Sequence, residues 1–177
     1  MRTEDHSYLA RKMIAQLDIG PWQKAAFVLG NIEPDYNRFS YLGKKKTYFA
    51  NGHSYRCRRR QIIEFFERPY QNNVFWWRQA GIVFHYLTDS FSRPHNPEFG
   101  YRSAAHVEYE IALHEIAQRA MRNNPWKIPK VDRTLKGWLE RRHAHYMKRT
   151  KGIQDDCYYI YTTVMAVWNW VIAQKIA

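Results

Sequence analysis

Cysteine is scarce in this chain of 177 residues: Cys57 and Cys157 are too few for a disulfide framework and lack the paired spacing of a thiolate metal site. Both are expected as free thiols. No basic stretch followed by an apolar run opens the sequence at Met1-Arg2-Thr3-Glu4-Asp5-His6, so no secretory leader is read there. The expectation is a cytoplasmic protein as written, or a secreted one if a leader has been removed. Acidic residues are few, 16 against 28 Lys and Arg, and the resulting charge of +12 points to an anionic partner. A phosphoester, an anionic lipid surface and a nucleic acid all fit. The basic clusters at residues 44–46, 58–60 and 148–151 read first as solvated faces. A transmembrane segment is also missing. Residues 158–173 come near the shortest spanning length, but Thr162, Thr163 and Asn169 interrupt them, and Ile160, Val164, Val167, Trp168 and Val171 form the stripe of a core-packing helix.

What is abundant is apolar and aromatic: 45% hydrophobic and 16% aromatic residues support a real core, so residues 1–177 are read as one domain. No repeat, low-complexity tract or strand pattern stands out, and the fold class is all-α. Helices are expected at residues 6–18, at 21–32 with Glu33-Pro34 as its end, and from His53 to about Pro69. Residues 36–52 read as a long loop. Residues 73–92 are apolar nearly all round and should form the central helix; further helices follow at about 103–122, 131–149 and 154–175.

The central helix nevertheless carries His85 and Asp89, one turn apart on one face. A carboxylate in such surroundings is costly unless a hydrogen-bonded cation or a metal meets it, and zinc accepts mixed imidazole and carboxylate ligands. His106 and Glu110 repeat the spacing on the next helix, with His95 in the loop between. One such pair is often a plain helix contact. Two pairs with a histidine between them suggest a shared site, which His6, on the inward stripe of the first helix, and His53 could join. His114 reads as a surface residue, and His143 and His145, among Arg141, Arg142, Lys148 and Arg149, as part of a solvated basic helix.

The ordered set of His6, then Gly30-Asn31-Ile32-Glu33-Pro34-Asp35, His53, His85-x3-Asp89-x5-His95 and His106-x3-Glu110 resembles the zinc-dependent phospholipase C family. The resemblance implies a compact multi-helix domain with a metal cluster between its helices. It implies up to three zinc ions: one held by Asp35, His53, His85 and Asp89; one by His95, His106 and Glu110; and one by His6, Asp89 and the terminal residue, here Met1 where the family typically has Trp. It further implies a zinc-bridged hydroxide attacking phosphorus, with Asp35 orienting that water or accepting its proton. Tyr36 would line a head-group pocket or simply pack. The substrate implied is a phospholipid or other phosphodiester. A zinc nuclease for single-stranded nucleic acid shares the fold and metal plan and is the alternative, although its second site uses Asp where this chain has Glu110. A non-catalytic zinc-binding protein of the same fold is the third reading.

Overall fold

Seven α-helices form among the described residues of the computed structural model, which are 1–15, 17–36, 51–100, 103–123 and 126–176. They are α1 (Thr3–Ile14), α2 (Pro21–Tyr36), α3 (Tyr55–Glu67), α4 (Val74–Asp89), α5 (Ser103–Asn123), α6 (Leu135–Arg149) and α7 (Ile153–Val171). Short 3-10 turns at Asn51–His53, Arg93–His95 and Pro97–Phe99 connect them, and a π-helical turn, Ile172–Ile176, follows α7. No strand occurs among the described residues, and no helix there is long and apolar enough to cross a membrane.

Local chemistry explains where the boundaries depart from expectation. The first helix starts at Thr3, ahead of His6, with Glu4 and Asp5 in its first turn and Arg11 and Lys12 in its last, both complementing the helix dipole. Pro34 does not end α2. It lies in the last turn, and Asp35 and Tyr36 continue the helix beyond it, so Asp35 is inside the helix and not past its end. His53 sits on a 3-10 turn ahead of α3. Asn73 caps α4 by accepting the Trp76 N–H at 2.8 Å, and Thr134 delays the start of α6 to Leu135 by accepting the Gly137 N–H at 3.2 Å. Most of the expected 36–52 loop, with the 44–46 basic cluster, lies outside the described residues.

Helix α4 is central, in contact with α1, α2, α3 and α7. Its Trp77, Phe84 and Leu87 are fully buried, and Phe84 meets Phe27 of α2 at 5.8 Å and Trp168 of α7 at 5.5 Å between ring centroids. Each such side chain contributes about 1.5–3 kcal/mol by leaving water. The closest helix pair is α2 with α4, and two glycines permit it. A Cβ on Gly30 would strike the Arg78 carbonyl, and one on Gly81 would strike the Phe27 carbonyl. This backbone-to-backbone approach brings the C-terminal half of α2 against His85, and so sets one wall of the site described below. Cys157 is buried in the core and Cys57 is exposed; both are free thiols, as expected.

Candidate metal centre

Six segments meet at one end of α4. His6 comes from α1, Asp35 from the last turn of α2, His53 from the 3-10 turn before α3, His85 and Asp89 from α4, His95 from the turn after it, and His106 and Glu110 from α5. Their ligand atoms gather in overlapping groups: His6, His85 and Asp89; Asp35, His53 and His85; His53, Asp89 and His95; and His95, His106 and Glu110. Within each group the atoms lie within 4.8 Å of one another.

Asp89 is the hub. It is fully buried, and its oxygens face different neighbours. Oδ2 lies 2.9 Å from His53 Nδ1 and 3.1 Å from His85 Nε2, whereas Oδ1 lies 3.2 Å from His6 Nε2 and 2.9 Å from the Met1 amine. Glu110 Oε1 gathers the other side, at 2.8 Å from that amine and 3.2 Å from each of His95 Nε2 and His106 Nε2. Asp35 turns one oxygen towards His85 Nε2 at 3.5 Å and accepts a hydrogen bond from Thr3 Oγ1 at 2.7 Å on the other.

Backbone anchors aim the rings. His85 donates from Nδ1 to the Asn31 carbonyl at 2.7 Å, which leaves Nε2 pointing into the site. That carbonyl is within reach because Gly30 and Gly81 let the helices touch. Arg58 donates to the Gly52 carbonyl at 2.5 Å and steadies the turn that carries His53.

Electrostatics select the kind of guest. Burial lowers the proton affinity of His53 to a pKa of about 4, and burial lowers those of His6 and His95 too, so these rings offer lone pairs at neutral pH. Burial opposes charge on His85 as well, but Asp89 and Asp35 outweigh it and raise its pKa. Burial likewise disfavours the Met1 ammonium, yet Asp89 and Glu110 raise its pKa to about 11. Asp89 and Glu110 stay ionised despite burial because the surrounding imidazoles and amine pull their pKa values down. The positive charge that these carboxylates draw onto amine and imidazole, beside neutral imidazoles, is what divalent cations would supply. The nitrogen and oxygen donors, without cysteine, suit zinc. A pocket of about 650 Å³, lined by Met1, Thr3, Asp35, Tyr36, His106 and Glu110 among others, opens onto the cluster, and Tyr36 is largely exposed at its rim.

Two of the three histidines set apart from the cluster need correction. His143 is not part of a solvated face: its Nε2 donates to the Ser90 carbonyl at 3.1 Å and approaches Asn96 Oδ1 at 3.2 Å, and its ring stacks on Tyr55 at 4.1 Å. Burial lowers its pKa to about 4. It therefore braces the 90–96 turn that carries His95. His114 is not a free surface residue either; its Nδ1 lies 2.7 Å from an oxygen of buried Asp5, tying α5 to α1 one residue before His6. His145 is exposed, with its Nδ1 2.6 Å from the Tyr159 hydroxyl.

Asp156, which the sequence did not single out, is fully buried and accepts from the Arg93 N–H at 2.7 Å, the Tyr109 and Tyr146 hydroxyls at 2.9 and 3.0 Å, and Thr150 Oγ1 at 2.9 Å. It locks α5, α6 and α7 to the same 93–95 turn. An acid in the first turn of an apolar helix was the available signal, but it reads equally as a dipole partner.

An all-helical protein whose imidazoles and carboxylates meet between helices in this way falls among the metal-site helical proteins. More particularly, the chain belongs to the zinc-dependent phospholipase C family, whose model matches residues 5–153. No curated protein and no solved structure gives a match.

Proposed function

We propose that the protein is a zinc-dependent phosphodiesterase that cleaves a phospholipid on the glycerol side of the phosphate. The observation that carries this reading is the division of Asp89: one oxygen faces His53 and His85, the other His6 and the Met1 amine. A carboxylate so placed can bridge two cations. In the proposed assignment Asp35, His53, His85 and Asp89 hold one zinc, His95, His106 and Glu110 a second, and His6, Asp89 and Met1 a third. Bound there, zinc supplies positive charge for a phosphate and acidifies water at neutral pH.

The chain's own groups do the rest. Asp35 is held by Thr3 at the edge of the pocket, where it can accept a proton from a water aimed at phosphorus. The hydrogen bond leaves its other oxygen as the acceptor. Tyr36, exposed beside Asp35, is proposed to contact the head group. His85 and Asp89, fixed in orientation, would hold bound zinc where its positive charge offsets the negative charge developing on the phosphoryl oxygens, without reorganisation in the transition state.

The test is release of phosphocholine from phosphatidylcholine, its loss with a chelator and its return with zinc. Cleavage of single-stranded DNA without cleavage of phospholipid would move the protein to the nuclease reading. Zinc bound tightly with neither substrate turned over would make it a non-catalytic member of the fold.

A further inference from the structure

A second concavity adjoins the metal pocket. This groove of about 520 Å³ runs between α1 and α2, and Ser7 and Ile32 line both spaces, so the two are neighbours. Its apolar lining is aliphatic: Ile14 from α1 with Val28, Leu29 and Ile32 from α2. Leu29 is 58% exposed, and Trp22 and Tyr36, also exposed, stand seven residues to either side of it on the same face of α2. Single exposed apolar residues are ordinary, but a stripe beside a groove that adjoins a reactive pocket marks a ligand surface. Arg11 and Lys24 complete the groove, and no carboxylate lines it among the described residues.

We propose that this groove receives an acyl chain of the substrate whose phosphate lies in the metal pocket. The inference rests on the phosphodiesterase reading and narrows its substrate to amphiphiles. The lining decides between the anionic partners that the charge left open. Single-stranded nucleic acid is held on aromatic platforms on which bases stack, and no aromatic ring among the described residues lines the groove itself, Trp22 and Tyr36 standing outside its lining. Methylene chains instead need the aliphatic walls found here, and Arg11 and Lys24 face the phosphates of neighbouring lipids. Chain burial then acts as binding energy remote from the reacting phosphorus.

The test combines binding and turnover on the zinc-loaded protein. Dodecylphosphocholine, titrated below its micelle concentration, should shift amide resonances of residues lining α1 and α2, including Ile14, Val28 and Ile32. Two variants outside the metal cluster, Leu29→Asn and Ala25→Trp, the second plugging the groove, should weaken those shifts. They should lower kcat/KM for dihexanoyl phosphatidylcholine about tenfold, and that for p-nitrophenyl phosphorylcholine by less than about twofold. Shifts confined to the metal pocket, equal losses on both esters, or an oligothymidylate that displaces the detergent from the groove would overturn the proposal. Groove binding with neither ester hydrolysed would uphold the groove and remove the hydrolase reading. Hydrolysis with both variants unaffected would do the reverse.

Discussion

Asp89 on α4 and Asp156 on α7 are both fully buried carboxylates on apolar helices, and the protein meets them in opposite ways. Asp156 accepts from one backbone N–H and three hydroxyls, and burial pushes its pKa up to about 6 against those hydrogen bonds. Asp89 is ringed by imidazole nitrogens and an amine, and stays ionised far below the ordinary carboxylate range despite its burial. A carboxylate surrounded by neutral donors needs nothing further and serves as a joint. One surrounded by titratable nitrogens needs positive charge, and that is the signature of a cation site. The two regions are linked, because Asp156 fastens Arg93 and so the turn that presents His95.

The largest effect that separates them should come from Asp89→Asn. Loss of the bridging charge should remove the zinc ions that share it and cut activity by at least about 10²–10³-fold, while helix content by circular dichroism stays near wild type. Retained activity in that variant would break the contrast. Asp156→Ala should do the opposite, orphaning buried hydroxyls at a cost of about 1–3 kcal/mol for each unsatisfied donor, measured by urea unfolding, with zinc still bound. Gly81→Ala should force α2 away from α4, costing about 1–3 kcal/mol and weakening zinc affinity as the Asn31 carbonyl leaves His85. The smallest effect is expected from His143→Gln. His143 is neutral in the folded state, with its pKa lowered by burial to about 4 against an ordinary 6.5, so below pH 6.5 the unfolded chain takes up the proton first. Wild-type stability should thus decline as pH falls from about 6.5 towards about 4. The variant should flatten that slope in denaturation series at pH 7 and pH 5; an unchanged slope would remove His143 from its bracing role.

The helical periods made the fold legible in the sequence, down to the central place of α4. The coincidence of two i, i+4 pairs pointed to the cluster that the folded chain brings together. Other parts were hidden for physical reasons. A backbone carbonyl such as that of Asn31 carries no side-chain signal, and the meeting of Gly30 with Gly81 is a property of two helices at once. Asp35 reads as lying past its helix because Pro34 reads as a terminator, yet α2 runs on through Tyr36. His143 was masked by Arg141 and Arg142, although Leu139, His143 and Tyr146 follow an inward spacing of four and three residues that could have exposed it.

The central claim, that these imidazoles and acids cage several zinc ions through Asp89, is met most directly by counting metal per chain by mass spectrometry of the wild type and of Asp89→Asn. The account predicts about two to three zinc ions in the wild type and at most about one, at the His95, His106 and Glu110 group, in the variant. Equal zinc content in the two proteins, or none in either, would contradict it.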